Sequence, residues 1–139
     1  MDGEVRKGRF VVLDATPLIV SPSVPTGDAT AVTTPSVVSE LLRTTSEIQE
    51  ARIRASLETG SLNVMTPSRS HVTRVRQAMS RRERSGASVA DVEVLAMALQ
   101  LAEEGNEVLL LSDDSVVQKV ATKLGIRCKG VKYPERQET

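Results

Sequence analysis

The apolar positions of the chain fall into short blocks separated by polar and turn-forming residues. Phe10-Val11-Val12-Leu13 is a continuous apolar run, mostly β-branched or aromatic, and it stops at Asp14. Such a run predicts a strand covered on both faces, as in a parallel sheet. Glu107 to Leu111 reads the same way and leads into Ser112-Asp113-Asp114. Leu62 to Met65 and Ile126 to Val131 are shorter strand candidates. Between the strands lie helical signals. Thr34 reads as an N-cap before Pro35 at the first helical position, opening a helix that reaches roughly Glu58 and stops at Gly60. Val37, Leu41, Ile48 and Ala55 recur within it at near-helical spacing. Further helices are expected from Pro67 to about Arg84, from Ser88 to Glu104 with Gly105 as stop, and from Asp114 or Ser115 to Gly125. Residues 21–33 (SPSVPTGDATAVT) read as a loop rich in Pro, Ser, Thr and Gly. Strands alternating with helices predict an α/β fold: a mostly parallel sheet of roughly four to five strands with helices on both faces. No repeat or boundary divides residues 1–132, and Tyr133 to Thr139 forms a polar tail.

Composition narrows the function classes. A length of 139 residues suffices for one core without a metal or disulfide staple. Lys plus Arg equals Asp plus Glu at 18 each, so net charge alone points to neither nucleic acid nor membrane. Cys128 is the only cysteine, which excludes a disulfide framework and a cysteine-rich zinc site within one chain and fits a reducing cytoplasm. The first apolar run is too short for a signal peptide or a membrane span. Phe10 and Tyr133 are the only aromatic residues, so a base-stacking module is not expected.

The acidic residues change the picture. In open α/β sheets, sites form beyond the carboxyl ends of the strands. Asp14 and the Asp113/Asp114 pair fall there, and Glu40 and Asp91 lie near helix starts. Leu95, Ala98 and Ala102 share a helix face with Asp91, so its carboxylate should stand at the edge of the core, where a charge is costly without a partner. Each position also has a simpler role open to it. Asp91 would complete a capping box with Ser88, Asp114 would cap its helix, Glu40 would be solvated, and Asp14 would close a turn with Thr16. Together they are harder to dismiss. Like charges about 5 Å apart repel by roughly 3 kcal/mol at an effective dielectric of 20. Protonation or a hard cation such as Mg²⁺ or Mn²⁺ would relieve that. Rival chemistries find little support. His71 is the only histidine and no G-x-S-x-G elbow accompanies it, so it reads as a surface helix residue. Cys128 reads as packing, no nucleotide-cradling glycine loop occurs, and Thr16 stands where a D-x-D phosphatase needs its second Asp.

LDATPLI, TTPSVVSELL, SVADVEVLAMAL and LLLSDDSVVQKVATKLGI, in that order, resemble the sequence blocks of a PIN domain, over about residues 9–130. The second and fourth are most similar to the PIN nucleases that mature the 3′ end of small-subunit ribosomal RNA. That branch has a T-x-P-x-V-x-x-E helix start and a T-D-D-x-x-V-Q-N stretch. Here Thr34-Pro35-Ser36-Val37-Val38-Ser39-Glu40 and Ser112-Asp113-Asp114-Ser115-Val116-Val117-Gln118-Lys119 stand in those places. The zinc ribbon usual in that branch is not expected in a sequence with one cysteine.

The resemblance implies a PIN-like three-layer sandwich and a Mg²⁺- or Mn²⁺-dependent endoribonuclease. It implies Asp14, Glu40, Asp91 and one or both of Asp113 and Asp114 as metal ligands, with Asp14, Glu40, Asp91 and Asp114 catalytic. Ser112 would orient a carboxylate, and Thr16 would support the site. Water would attack the phosphodiester, its pKa lowered by the ion. RNA is the implied partner, in the form of precursor rRNA or the small ribosomal subunit. Arg69, Arg74, Arg76, Arg81, Arg82 and Arg84, against the single acid Glu83, offer phosphate contacts or else a solvated face. Two other readings stand beside this one: a VapC-type toxin ribonuclease paired with an antitoxin, and a catalytically silent PIN fold serving as an RNA-binding or ribosome-assembly module. A homodimer is a base-rate expectation.

Overall fold

The computed structural model describes residues 8–20 and 28–131. Strands β1 (Arg9–Leu13), β2 (Thr30–Thr33), β3 (Asn63–Val64), β4 (Glu107–Leu111) and β5 (Arg127–Lys129) form one sheet in the order β3-β2-β1-β4-β5. Every pairing is parallel, so the sheet is wholly and not just mostly parallel. Strand order reverses at β1, and the crevice beyond the ends of β1 and β4 is the topological switch point where such sheets place their ligands.

Two apolar clusters explain the three layers. Val12, Val32 and Leu110 point to one face, under the helices α2 (Pro35–Thr44), α4 (Arg69–Ala78), α6 (Val89–Glu103) and α7 (Ser115–Leu124). Val11, Leu13, Ala31 and Leu111 point to the other, where Leu18 of α1 (Ala15–Val20) and Leu57 of α3 (Glu47–Thr59) cover them. Alternation along each strand thus feeds two cores. Helix α6 is buried almost all round, from Ala90 through Leu101, which is why its sequence is apolar on every side. Ala102, expected in its buried stripe, is exposed, because the helix end clears the sheet there.

Local signals moved several expected boundaries. The helix expected from Pro35 to Glu58 is two helices. Thr45 and Ser46 are both extended, and Ser46 caps α3 through Gln49 N–H. The apolar phase restarts at that break, so Ile48 is 69% exposed and Ile53 takes the buried position. The helix expected from Pro67 to Arg84 also breaks, at Met79 and Ser80. There Ser80 and Glu83 close a capping box that opens the short helix α5 (Arg81–Gly86). Thr30–Thr33, expected as loop, pairs with β1, and Ala15–Val20 forms a short helix that the sequence pattern does not predict. The remainder of the predicted loop, residues 21–27, and the polar tail lie outside the described residues.

Candidate active site

The sheet register carries Asp14 into the switch-point crevice. Val12 pairs with Val32 on one side and with Leu110 on the other. Two residues further along, Thr34, Asp14 and Ser112 form a row at the carboxyl edge, on the face that packs against α6. All three are buried. Ser112 Oγ donates to Asp14 Oδ2 at 2.7 Å and accepts from Asp114 N–H at 3.1 Å. Asp14 Oδ1 accepts from Ala15 N–H at 2.9 Å, and Thr16 stands half-buried in the first turn of α1. Burial raises the pKa of Asp14; the bonds from Ser112 and Ala15 oppose the rise, and the charges of Asp114 and Glu40 add to it.

Asp91 reaches the same crevice from the first turn of α6. Its Oδ2 accepts from Ser88 N–H at 2.9 Å while Ser88 Oγ accepts from Asp91 N–H, so the capping box is present. That box does not relieve the charge. Burial, reinforced by the fields of Asp114 and Asp14, pushes the Asp91 pKa up to about 6. Asp114 caps α7, and both capping bonds, from Val116 and Val117 N–H, end on Oδ1. Capping and membership of the acidic group are therefore compatible at both positions.

Asp113 turns elsewhere. Its Oδ1 accepts from Val131 N–H at 3.1 Å, beyond the end of β5, and its charge acts on Cys128. Cys128 is a buried-side thiol, raised to about 12 chiefly by burial, which fits packing and not nucleophilic chemistry. Glu40 is half-buried on α2, close enough for its charge to act on Asp14.

Two contributors had escaped sequence reading. Glu93 Oε1 accepts from Ser36 N–H at 3.0 Å, capping α2 from α6 and fixing the helix that carries Glu40 against the one that carries Asp91. Its position two residues after Asp91 was the available signal, but the contact is long-range. Thr34 occupies the N-cap position of α2, as its sequence predicts. Its side chain makes no capping bond, and Oγ1 is buried without a partner among the described residues. Buried hydroxyls are rarely left so, because desolvation costs about 1–3 kcal/mol.

The carboxylates are near enough to repel, yet among the described residues no three His, Cys, Asp or Glu side chains stand close enough to enclose a metal ion. The donor set is nonetheless suited to a hard cation. Mg²⁺ binds through one or two carboxylates and keeps several of its waters, and Asp14 and Asp91 carry the raised pKa values that a neighbouring cation would lower.

The predicted arginines separate into groups. Arg74 is held in a two-point pair with Glu103, at 2.7 and 2.5 Å. His71 is not a plain surface residue. It bridges Ser68 and Glu103, with Nε2 2.9 Å from Glu103 Oε1, and so ties α4 to α6. Arg69, Arg76, Arg81, Arg82 and Arg84 are exposed, and among the described residues none of them has an acidic partner in an ion pair. No helix among the described residues is long and apolar enough to cross a membrane.

The family described as PIN domain of ribonuclease matches residues 11–101, a stretch that includes Asp14, Glu40 and Asp91. The Endoribonuclease Nob1 of Methanocaldococcus jannaschii is 31% identical over 124 residues, 88% of this chain but 56% of that protein. Ribonuclease VapC3 of Aeropyrum pernix is 36% identical over 96 residues, 66% of this chain and 69% of that protein. The Endoribonuclease Nob1 of Archaeoglobus fulgidus is 50% identical over 44 residues, 32% of this chain and 26% of that protein. The chain thus matches only about half, or less, of the two Nob1 proteins. With its all-parallel sheet and its acidic switch point, the chain belongs to the PIN-domain ribonuclease family.

Proposed function

We propose that the chain is a divalent-metal-dependent endoribonuclease of RNA processing, with maturation of ribosomal RNA as its first candidate task. What carries this reading is the convergence of Asp14, Asp91, Asp114 and Glu40 on one sheet edge, where burial and mutual repulsion raise the pKa of the first two. A bound Mg²⁺ or Mn²⁺ would supply Lewis acidity and lower the pKa of the attacking water. Asp14 and Asp91 would touch the ion directly, and Glu40 and Asp114 would hold its water ligands. Asp113 is the weaker of the adjacent pair for this role, since it is turned toward Val131. Ser112 and Ser88 orient the two inner carboxylates. Water adds to phosphorus and the bond to the 3′ oxygen breaks, leaving a 5′-phosphate and a 3′-hydroxyl.

The acidic crevice repels RNA by itself, so attraction needs cations nearby. The exposed arginines of α4 and α5 that lack an acidic partner among the described residues are the candidates to supply it. Ribosomal RNA is favoured by the resemblance of the second and fourth sequence blocks to PIN nucleases that mature small-subunit ribosomal RNA. An endoribonuclease is supported by the similarity to the Endoribonuclease Nob1 of Methanocaldococcus jannaschii, which spans 88% of this chain. The similarity to VapC3 supports a toxin ribonuclease as the second reading, and a neighbouring small antitoxin gene would favour it. The direct test incubates the protein with single-stranded and structured RNAs, with Mn²⁺ or with chelator, beside Asp14→Asn. Cleavage that needs Mn²⁺ and Asp14 is expected. No cleavage of any RNA would leave the silent binding module as the better account.

A further inference from the structure

A cavity of about 130 Å³ opens beside the acidic crevice, between α4, α5 and the first turn of α6. Arg76 and Arg84 line it together with Met79, Ala87, Ser88, Val89 and Val92. Its position is fixed by Ser88, which lines the cavity and donates its N–H to Asp91 Oδ2 at 2.9 Å. The cavity and the acidic group therefore share one residue as a common wall.

The lining has an unbalanced charge. Glu83, the nearest acid in sequence, is taken by Lys123 Nζ at 2.6 Å and by Ser80 N–H. With Glu83 engaged in those contacts, Arg76 and Arg84 have no acidic partner in an ion pair among the described residues. Both guanidinium groups line the cavity, so an anion held there would meet two cations that lack an acidic partner among the described residues. Most of the remaining lining is apolar. Val89 is 59% exposed, one of few large apolar side chains left open on the described surface. A lining of cation and aliphatic carbon matches a phosphate with a sugar attached.

We infer that this cavity is a nucleotide subsite, in which Arg76 and Arg84 hold the RNA phosphate next to the scissile one and Val89 covers its ribose. The inference rests on the nuclease reading above and makes it more specific. It divides the six arginines: Arg76 and Arg84 carry the contact, Arg74 is committed to Glu103, and Arg69, Arg81 and Arg82 stand outside the cavity.

The test measures binding of a short single-stranded RNA to Asp14→Asn protein at several salt concentrations. Arg76→Gln with Arg84→Gln is compared with Arg69→Gln, and Val89→Glu at the exposed rim provides a second variant that the fold should accept. The arginine pair is expected to weaken binding about tenfold or more and to lower the salt slope by about 0.7, the value for one single-strand phosphate contact. Val89→Glu should weaken binding similarly, and Arg69→Gln by less than about twofold. Equal losses at Arg69 and at the cavity pair, or unchanged binding in the cavity variants, overturn the inference. Inorganic phosphate followed by NMR separates the two phosphate sources. Shifts at Arg76 and Arg84 from phosphate alone, with no response to RNA, would make this a free-anion site and also overturn it. The nuclease reading is judged separately, by Mn²⁺-dependent cleavage in the otherwise unaltered protein. Cleavage that persists while cavity variants bind normally removes the subsite and leaves the enzyme.

Discussion

Replacing Asp91 with Asn should make the metal-free protein more stable and the enzyme inactive. Asn keeps an oxygen for Ser88 N–H, so the capping box at the start of α6 can survive. It removes a charge whose pKa stands at about 6 against an ordinary 3.8. A rise of about two units corresponds to about 3 kcal/mol of strain in the ionised state. Solvent at the rim of the crevice screens part of this, leaving about 1–2 kcal/mol. The sign follows from linkage. The folded pKa is raised, so the stabilising contribution of Asp91 is complete below pH 3.8 and is lost as pH rises through about 6. With chelator present, Asp91→Asn should therefore match the parent protein near pH 4 and exceed it near pH 8, by roughly 3–8 °C in Tm. The chain has no Trp, so far-ultraviolet circular dichroism is the suitable probe of unfolding. Mn²⁺ should reverse the order by stabilising the parent and not the variant. Cleavage should fall by at least about 100-fold, the scale of removing one electrostatic stabiliser. A variant no more stable than its parent at pH 8 in chelator would refute the claim that this carboxylate is held under strain.

Asp14→Asn should abolish RNA cleavage in the presence of metal while Tm stays within a few degrees of the parent; full activity would sink the mechanism. Thr34→Val should be neutral or stabilising by about 1 kcal/mol, because it removes a buried hydroxyl without a partner; a clear loss of Tm would mean that the hydroxyl is bonded after all. Glu103→Gln should lower Tm at neutral pH without changing cleavage, since Glu103 joins His71 and Arg74 of α4 to α6. The pKa of Glu103 is lowered to about 2, mainly by Arg74, so its contribution is present above pH 4.5 and fades as pH falls toward 2. Thermal melts of both proteins across that range should converge at the acid end.

The long runs of the sequence were legible because one physical signal dominated each. Phe10–Leu13 and Val108–Leu111 are apolar on both faces, and only a strand between two layers needs that. The breaks were not legible in the same way. Ser46 and Ser80 end apolar periodicities by capping the next helix, and a serine inside a polar stretch looks the same whether it caps or not. Thr30–Thr33 is a strand because β1 pairs with it, and its own composition had suggested a loop. At the site, the neighbourhood of Asp14, Asp91 and Asp114 followed from strand ends and helix starts. The turn of Asp113 toward Val131, the cap that Glu93 gives α2, and the solitary hydroxyl of Thr34 depend on contacts between distant segments.

The row formed by Thr34, Asp14 and Ser112 makes the sheet a ruler. Adjacent strands lie about 4.8 Å apart, so lateral spacing at the crevice is set by backbone pairing and not by side-chain choice. A slip of one residue in β4 would turn Ser112 to the opposite layer, releasing Asp14 and Asp114 together. Loops between the strands can therefore lengthen or shorten while the spacing of Asp14 and Ser112 stays constant. A single insertion within β1 or β4 would destroy it even if every acidic residue were kept.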